Sequence, residues 1–152
     1  MKKSPSLEES SNSRLPSSDQ RHSIEIRERV RYSETDQMGV AHNKNYLEWF
    51  EIGRTELCRQ KTIPYKKIES IGYYLMVVEA FCKYRRPLRY DEEFSIRVTL
   101  DQVTPKKIVF RYELLDAKER NLVASGYTVH IVTNAKAEVC SLPPEILEKL
   151  KA

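Results

Sequence analysis

The stretch Val30–Arg54, VRYSETDQMGVAHNKNYLEWFEIGR, decides how the chain is read. A strand-like segment runs into a polar turn, and the turn runs straight into a helix. The turn carries a carboxylate, Asp36, and then Gly39. His42 and Asn43 fall at the helix start. The first backbone N–H groups of a helix have no partner within it, so they can hold an oxyanion or polarise a carbonyl. A carboxylate beside them can attack that carbonyl or activate water against it. The rest of the chain reads as a sheet that wraps the helix.

Upstream, Ser23–Tyr32 alternates. Ile24, Ile26, Val30 and Tyr32 share one face, and Glu25, Arg27, Arg29 and Arg31 the other, the period of a half-buried strand. Gly39 either takes a backbone angle closed to other residues or admits a ligand closely. Asn43 or Asn45 opens a helix that runs to about Lys61. Asn43 is a good cap, and Asn45 with Glu48 resembles a capping box. Tyr46, Phe50, Gly53 and Leu57 form one stripe, which Leu47, Trp49 and Ile52 widen, so the helix is expected to be enclosed on more than one side. Gly53 costs about 1 kcal/mol relative to Ala in a helix, and close approach of a strand would explain it.

Downstream, Pro64 opens a short amphipathic helix ending at Gly72. Four strand-like runs follow, Tyr74–Tyr84, Phe94–Asp101, Ile108–Leu114 and Val123–Thr133, and Pro144 opens a C-terminal helix. The first run is almost wholly apolar, which suggests cover on both faces, as a subunit contact would give. Short turns between consecutive strands favour antiparallel pairing. One long apolar helix against such a sheet gives an α+β architecture.

Composition narrows the classes. Hydrophobic residues make up 40% of the 152 and charged residues 32%, ordinary for one soluble domain. Residues 1–22 are rich in Ser and poor in large apolar side chains, and read as a disordered tail before a domain over 23–152. No apolar run reaches the roughly 18 residues of a membrane span, so no membrane insertion is expected. No secretory signal is evident, and the three cysteines form no C-x-x-C pair. Reduced thiols and a cytoplasmic location are expected. The net charge of +4 is too mild to argue for nucleic acid. The three histidines and three cysteines have no metal-ligand spacing.

The run Y-S-E-T-D-Q-M-G-V-A-H-N-K-N-Y-L-E-W-F-E (32–51) closely resembles the signature of 4-hydroxybenzoyl-CoA thioesterase relatives, among them the acyl-CoA thioesterases associated with the Tol–Pal system. VVEAFCKYRRPLRYDEEF (77–94) and AKAEVCSLPPEIL (135–147) are similar to later parts of that family. The resemblance implies a hotdog fold, an antiparallel sheet of about five strands wrapped around one long central helix. It implies an acyl-CoA thioesterase with Asp36 as nucleophile or general base. Gly39 matches the motif glycine, and the N–H near Asn43 matches the donor that polarises the thioester carbonyl. Many relatives carry an aromatic residue where this chain has His42, and some carry His where it has Asn43. Tyr46 matches a family aromatic, and strand residues near Tyr84 are expected to line the pocket. Candidates for the CoA phosphates are Lys83, Arg85, Arg86, Arg89, Lys106 and Lys107, since Arg pairs phosphate with two parallel hydrogen bonds. Water is the co-substrate, with no other cofactor. A homo-oligomer is implied, a dimer or a dimer of dimers. An acyl-CoA-binding module without turnover and an acyl carrier protein thioesterase are the alternatives.

On their residues alone, Glu34 reads as a solvated turn residue and Glu51 as an ion-pair partner of Arg54 three positions on. His130, within a strand, reads as a satisfied sheet histidine.

Overall fold

A computed structural model describes residues 22–152. The expected tail lies outside the described residues, apart from His22. Five strands form one antiparallel sheet: β1 (Ser23–Arg29), β2 (Tyr74–Tyr84), β3 (Glu93–Val103), β4 (Lys107–Asp116) and β5 (Leu122–Thr133). The helices are α1 (Lys44–Gln60), α2 (Tyr65–Ser70) and α3 (Pro144–Lys151). The spatial order is β1-β3-β4-β5-β2, so β1 and β2 are the edges. This is the α+β architecture that the patterning predicts and the hotdog arrangement that the resemblance implies.

The long helix is held to the sheet by aromatic pairs. Tyr46 meets Tyr84 of β2 at 4.8 Å between ring centroids, Trp49 meets Phe94 of β3 at 4.5 Å, and Phe50 stacks on Tyr112 of β4 at 4.2 Å. Phe50, Leu57, Phe94, Ile96 and Phe110 are fully buried. Each such side chain contributes roughly 1.5–3 kcal/mol of burial. Gly53 explains itself here. A methyl built on it would stand 2.9 Å from Cγ2 of Ile96, so β3 crosses the helix at the one position without a side chain.

Two expectations need correction. β1 ends at Arg29, and Tyr32 sits in a short 3-10 turn, 78% exposed, because the chain turns before the alternation can continue. Leu47 and Ile52 are exposed, so one face of α1 is open in the single chain. In the single chain β2 pairs only with β5 and, as an edge, leaves Met76, Val77, Val78, Phe81 and Tyr84 exposed.

Candidate active site

Residues 34–42 form a small hairpin. The His42 N–H donates to the Glu34 carbonyl at 2.8 Å, Thr35 pairs with Ala41, and the Asp36 N–H donates to the Val40 carbonyl at 2.9 Å. At the tip the Gly39 N–H donates to the Asp36 carbonyl at 3.0 Å, with Gly39 at φ +75°. That angle is left-handed, which favours glycine at the corner. Asp36 closes its own turn, because Oδ1 accepts the Met38 N–H at 2.8 Å. That bond engages one carboxylate oxygen of two. The returning arm docks on the segment after β2. The Ala41 N–H donates to the Leu88 carbonyl at 2.7 Å, and Val40 bridges to Arg89.

The helix start differs from the expected cap. Asn43 has helical backbone angles and makes no side-chain cap. His42 does that work instead, its Nδ1 accepting the Lys44 N–H at 3.1 Å. The Asn45 and Tyr46 N–H groups donate to the carbonyls of His42 and Asn43. The Asn43 N–H makes no hydrogen bond among the described residues. Neither the Asn45–Glu48 box nor an Asn43 side-chain cap forms, because Asn45 is buried and turned towards the hairpin. Thus one donor is left open at the positive end of a seventeen-residue helix.

Asn43 lines a cavity of about 300 Å³ together with Ala41, Tyr46, Tyr84, Arg85, Arg86 and Pro87. The structure thereby brings together Asn43, Tyr46, Tyr84, Arg85 and Arg86 from the expected set. Asp36, Gly39 and His42 do not line it; they belong to the hairpin that supplies Ala41 to its wall. Burial pushes the Tyr46 hydroxyl up to about 12, with Cys82 and Tyr84 beside it adding to the rise. It is a neutral hydrogen-bond donor at physiological pH. Burial also raises the Cys82 thiol.

The basic candidates divide. Arg85 and Arg86 stand at the cavity, and Arg86 also approaches Asp116 at 3.7 Å. Arg89 is exposed beside the hairpin, and Lys83 is exposed on β2. Lys106 and Lys107 lie at the other end of the β4–β5 ladder, where Lys107 opposes Ile131, whereas Tyr84 opposes Ala124.

Glu34 is no solvated turn residue. Its Oε1 accepts the Arg31 N–H at 2.7 Å and its Oε2 accepts the Trp49 indole N–H at 2.9 Å. Nothing in local spacing signals the second bond, because it joins residues fifteen apart. Glu51 is exposed and forms no ion pair with Arg54 among the described residues; Arg54 packs inward towards Tyr65 and Tyr112. Glu48 is also exposed. His130 is a satisfied sheet histidine as expected, fully buried, with Nε2 2.8 Å from the Thr128 hydroxyl.

Known proteins bear on this arrangement. The model of the thioesterase-like superfamily matches residues 30–150. An Aquifex aeolicus (strain VF5) protein named "Putative esterase" is 36% identical over 126 residues, 82% of this chain and 95% of its own. A Synechococcus (strain CC9605) protein named 1,4-dihydroxy-2-naphthoyl-CoA hydrolase is 27% identical over 136 residues, covering 85% and 90%. The crystal structure of a hypothetical protein from Aquifex aeolicus superposes with a TM-score of 0.78 at 33% identity, covering 84% of this chain and 98% of that one. The match spans the hairpin, the helix with its open N–H and all the strands after β1, and the chain belongs to the thioesterase-like superfamily, as a thioester hydrolase with the hotdog fold.

Proposed function

We propose that the protein hydrolyses an acyl-CoA thioester at the helix start, with Asp36 as nucleophile or general base and the Asn43 N–H holding the carbonyl oxygen. The observation that carries this reading is the unpartnered N–H of Asn43, a residue that lines the cavity at the positive end of α1 and follows the hairpin that carries Asp36. Negative charge developing on the thioester oxygen is stabilised by that donor and by the helix dipole. The Asp36 oxygen not engaged by Met38 is the attacking atom or the proton acceptor. If it attacks, a mixed anhydride forms as the CoA thiolate leaves, and water then hydrolyses the anhydride. If it acts as base, water attacks directly. Hydroxylamine traps the anhydride and so separates the two routes.

Tyr46 and Tyr84 give the acyl end of the cavity aromatic walls, Arg85 and Arg86 at the cavity supply positive charge for CoA phosphates, and Arg89 beside the hairpin adds to it. Within the superfamily, the motif at 32–51 favours kinship with the 4-hydroxybenzoyl-CoA thioesterase relatives, including the Tol–Pal-associated enzymes. A second copy of the chain pairs along the open edge of β2 and covers its apolar side chains. The location is cytoplasmic, in keeping with free thiols at Cys58, Cys82 and Cys140 and with the described residues, where no helix is long and apolar enough to cross a membrane.

The test is thiol release from benzoyl-, hydroxybenzoyl-, acetyl-, hexanoyl- and palmitoyl-CoA, for wild type and Asp36→Asn in parallel. The substitution keeps size and removes charge. Turnover on the preferred thioester is expected to fall by roughly 100-fold or more. Unchanged hydrolysis by Asp36→Asn would sink the assignment. Tight acyl-CoA binding by wild type without thiol release would make the protein a binding module. Turnover of acyl carrier protein thioesters in preference to CoA thioesters would change the substrate class.

A further inference from the structure

The hairpin that carries Asp36 is tied to the helix that carries the open Asn43 N–H by a set of hydrogen bonds through three buried or half-buried side chains. The Asn45 side-chain Nδ2 spends its donors on both arms of the hairpin stem, reaching the Glu34 carbonyl at 2.7 Å and the His42 carbonyl at 3.0 Å. One turn further along α1, the Trp49 indole N–H reaches Oε2 of Glu34 at 2.9 Å, while Oε1 of Glu34 holds the Arg31 N–H where the chain enters the hairpin. Asn45 is 3% exposed and Trp49 2%. Trp49 is itself fixed between Tyr46 and Phe94, so the indole N–H has one direction to point. The tie points stand two residues before Asp36 and one before Asn43.

We propose that Asn45, Glu34 and Trp49 are positioning residues for thioester hydrolysis, forming a clip that sets the Asp36 carboxylate against the Asn43 N–H. This rests on the reading that those two groups perform the chemistry. Hydrogen bonds between neighbours in a hairpin hold its shape, but they do not fix where it stands relative to α1. The clip does, because Asn45 and Trp49 belong to the helix and Glu34 to the hairpin. Misplacement of a reacting group by about 1 Å costs on the order of 100-fold in rate. Neither Asn45 nor Trp49 needs to touch the substrate for its loss to be felt.

Two substitutions separate this role from mere stability. Asn45→Asp keeps size but turns a carboxylate towards two carbonyl oxygens, and Trp49→Phe keeps the aromatic packing but removes the indole N–H. Each is made in wild type and in Asp36→Asn. kcat and KM are measured on whichever CoA thioester of the panel is hydrolysed fastest, with thermal midpoints alongside. Expected is a fall in kcat of about 100-fold for Asn45→Asp and about 10-fold for Trp49→Phe, with KM within about threefold and the protein folded at the assay temperature. In the Asp36→Asn background neither substitution lowers the residual rate further by more than about twofold, because groups acting through one another do not add. Should Asn45→Asp not fold, Trp49→Phe carries the test alone. Unchanged kcat in the folded variants overturns the clip, as does a loss that tracks the unfolded fraction or recurs in full without the Asp36 charge. If Asp36→Asn itself hydrolyses like wild type, the reading of the site falls and the clip with it. A crippled Asp36→Asn beside unaffected clip variants removes the clip alone.

Discussion

His130 shows how the core treats a single titratable side chain. It is fully buried between Phe110 and Thr128, and burial, with the Arg54 guanidinium nearby, lowers its pKa to about 4. In the unfolded chain it takes up a proton near 6.5. Between these values the unfolded state binds the extra proton, so stability rises with pH through that window. The contribution is fully present above about pH 6.5 and is lost as pH falls towards 4, by on the order of 3 kcal/mol. Urea midpoints of wild type and His130→Gln between pH 7.5 and 4 check this: the wild-type curve falls more steeply, and parallel curves contradict the assignment. His42 is the opposite case, an exposed ring whose Nδ1 caps α1. His42→Ala is expected to cost about 1 kcal/mol of stability, the usual worth of a cap.

Helix and strands meet where side chains are missing. Gly53 admits β3 beneath α1, and Gly126 of β5 admits the Phe50 ring and lies against β2. A methyl on Gly126 would stand 2.1 Å from the Phe81 carbonyl oxygen, a backbone atom that cannot move without opening the β2–β5 ladder. Gly126→Ala is therefore expected to destabilise by about 3 kcal/mol or more. Gly53→Ala meets the Ile96 methyl at 2.9 Å, but gains about 1 kcal/mol of helix propensity, so its net cost is smaller, about 1 kcal/mol. Chemical denaturation of the two variants gives the order directly, and the reverse order refutes the packing argument. A weakened β2 also disturbs Tyr84 and so the cavity.

Taken whole, the protomer has one polar and one apolar edge. At β1, Arg27 and Arg29 face Glu93 and Asp91, and Glu25 meets Arg97 and Arg120. At β2 the exposed row is Met76, Val77, Val78 and Phe81, beside backbone groups that no strand of the protomer pairs. Such an edge is a template for another strand. Val78 is the sharpest probe. It is 60% exposed and sits at the bulge that drops it from the β5 register, so a lysine there leaves the internal ladder intact. Wild type is expected to sediment as a dimer or larger, and Val78→Lys to shift it towards monomer with loss of hydrolysis, since β2 leads into Tyr84 and Arg85. A wild type that sediments as an active monomer would remove the proposed second copy.

Much of this is legible in the sequence alone, for a physical reason. Period-two and helical patterns record which face of an element is buried, so all five strands and three helices are placed by them, and the T-D-x-x-G turn is recognised through its likeness to the family motif. The turn at Asp36 and the helix start beside Asn43 are legible in the same local run. Local spacing carries no record of bonds between distant residues or of competition for one donor. Hence spacing alone reads Glu34 as solvated although it holds Trp49, Asn43 as the cap that His42 provides, and Arg54 as the partner of Glu51 although it turns inward. Which N–H stayed open, which of the basic residues reached the cavity, and that the most apolar strand became an edge all depended on how helix, hairpin and sheet close on one another. Those contacts join residues far apart in the chain, and their geometry exists only once the chain has folded.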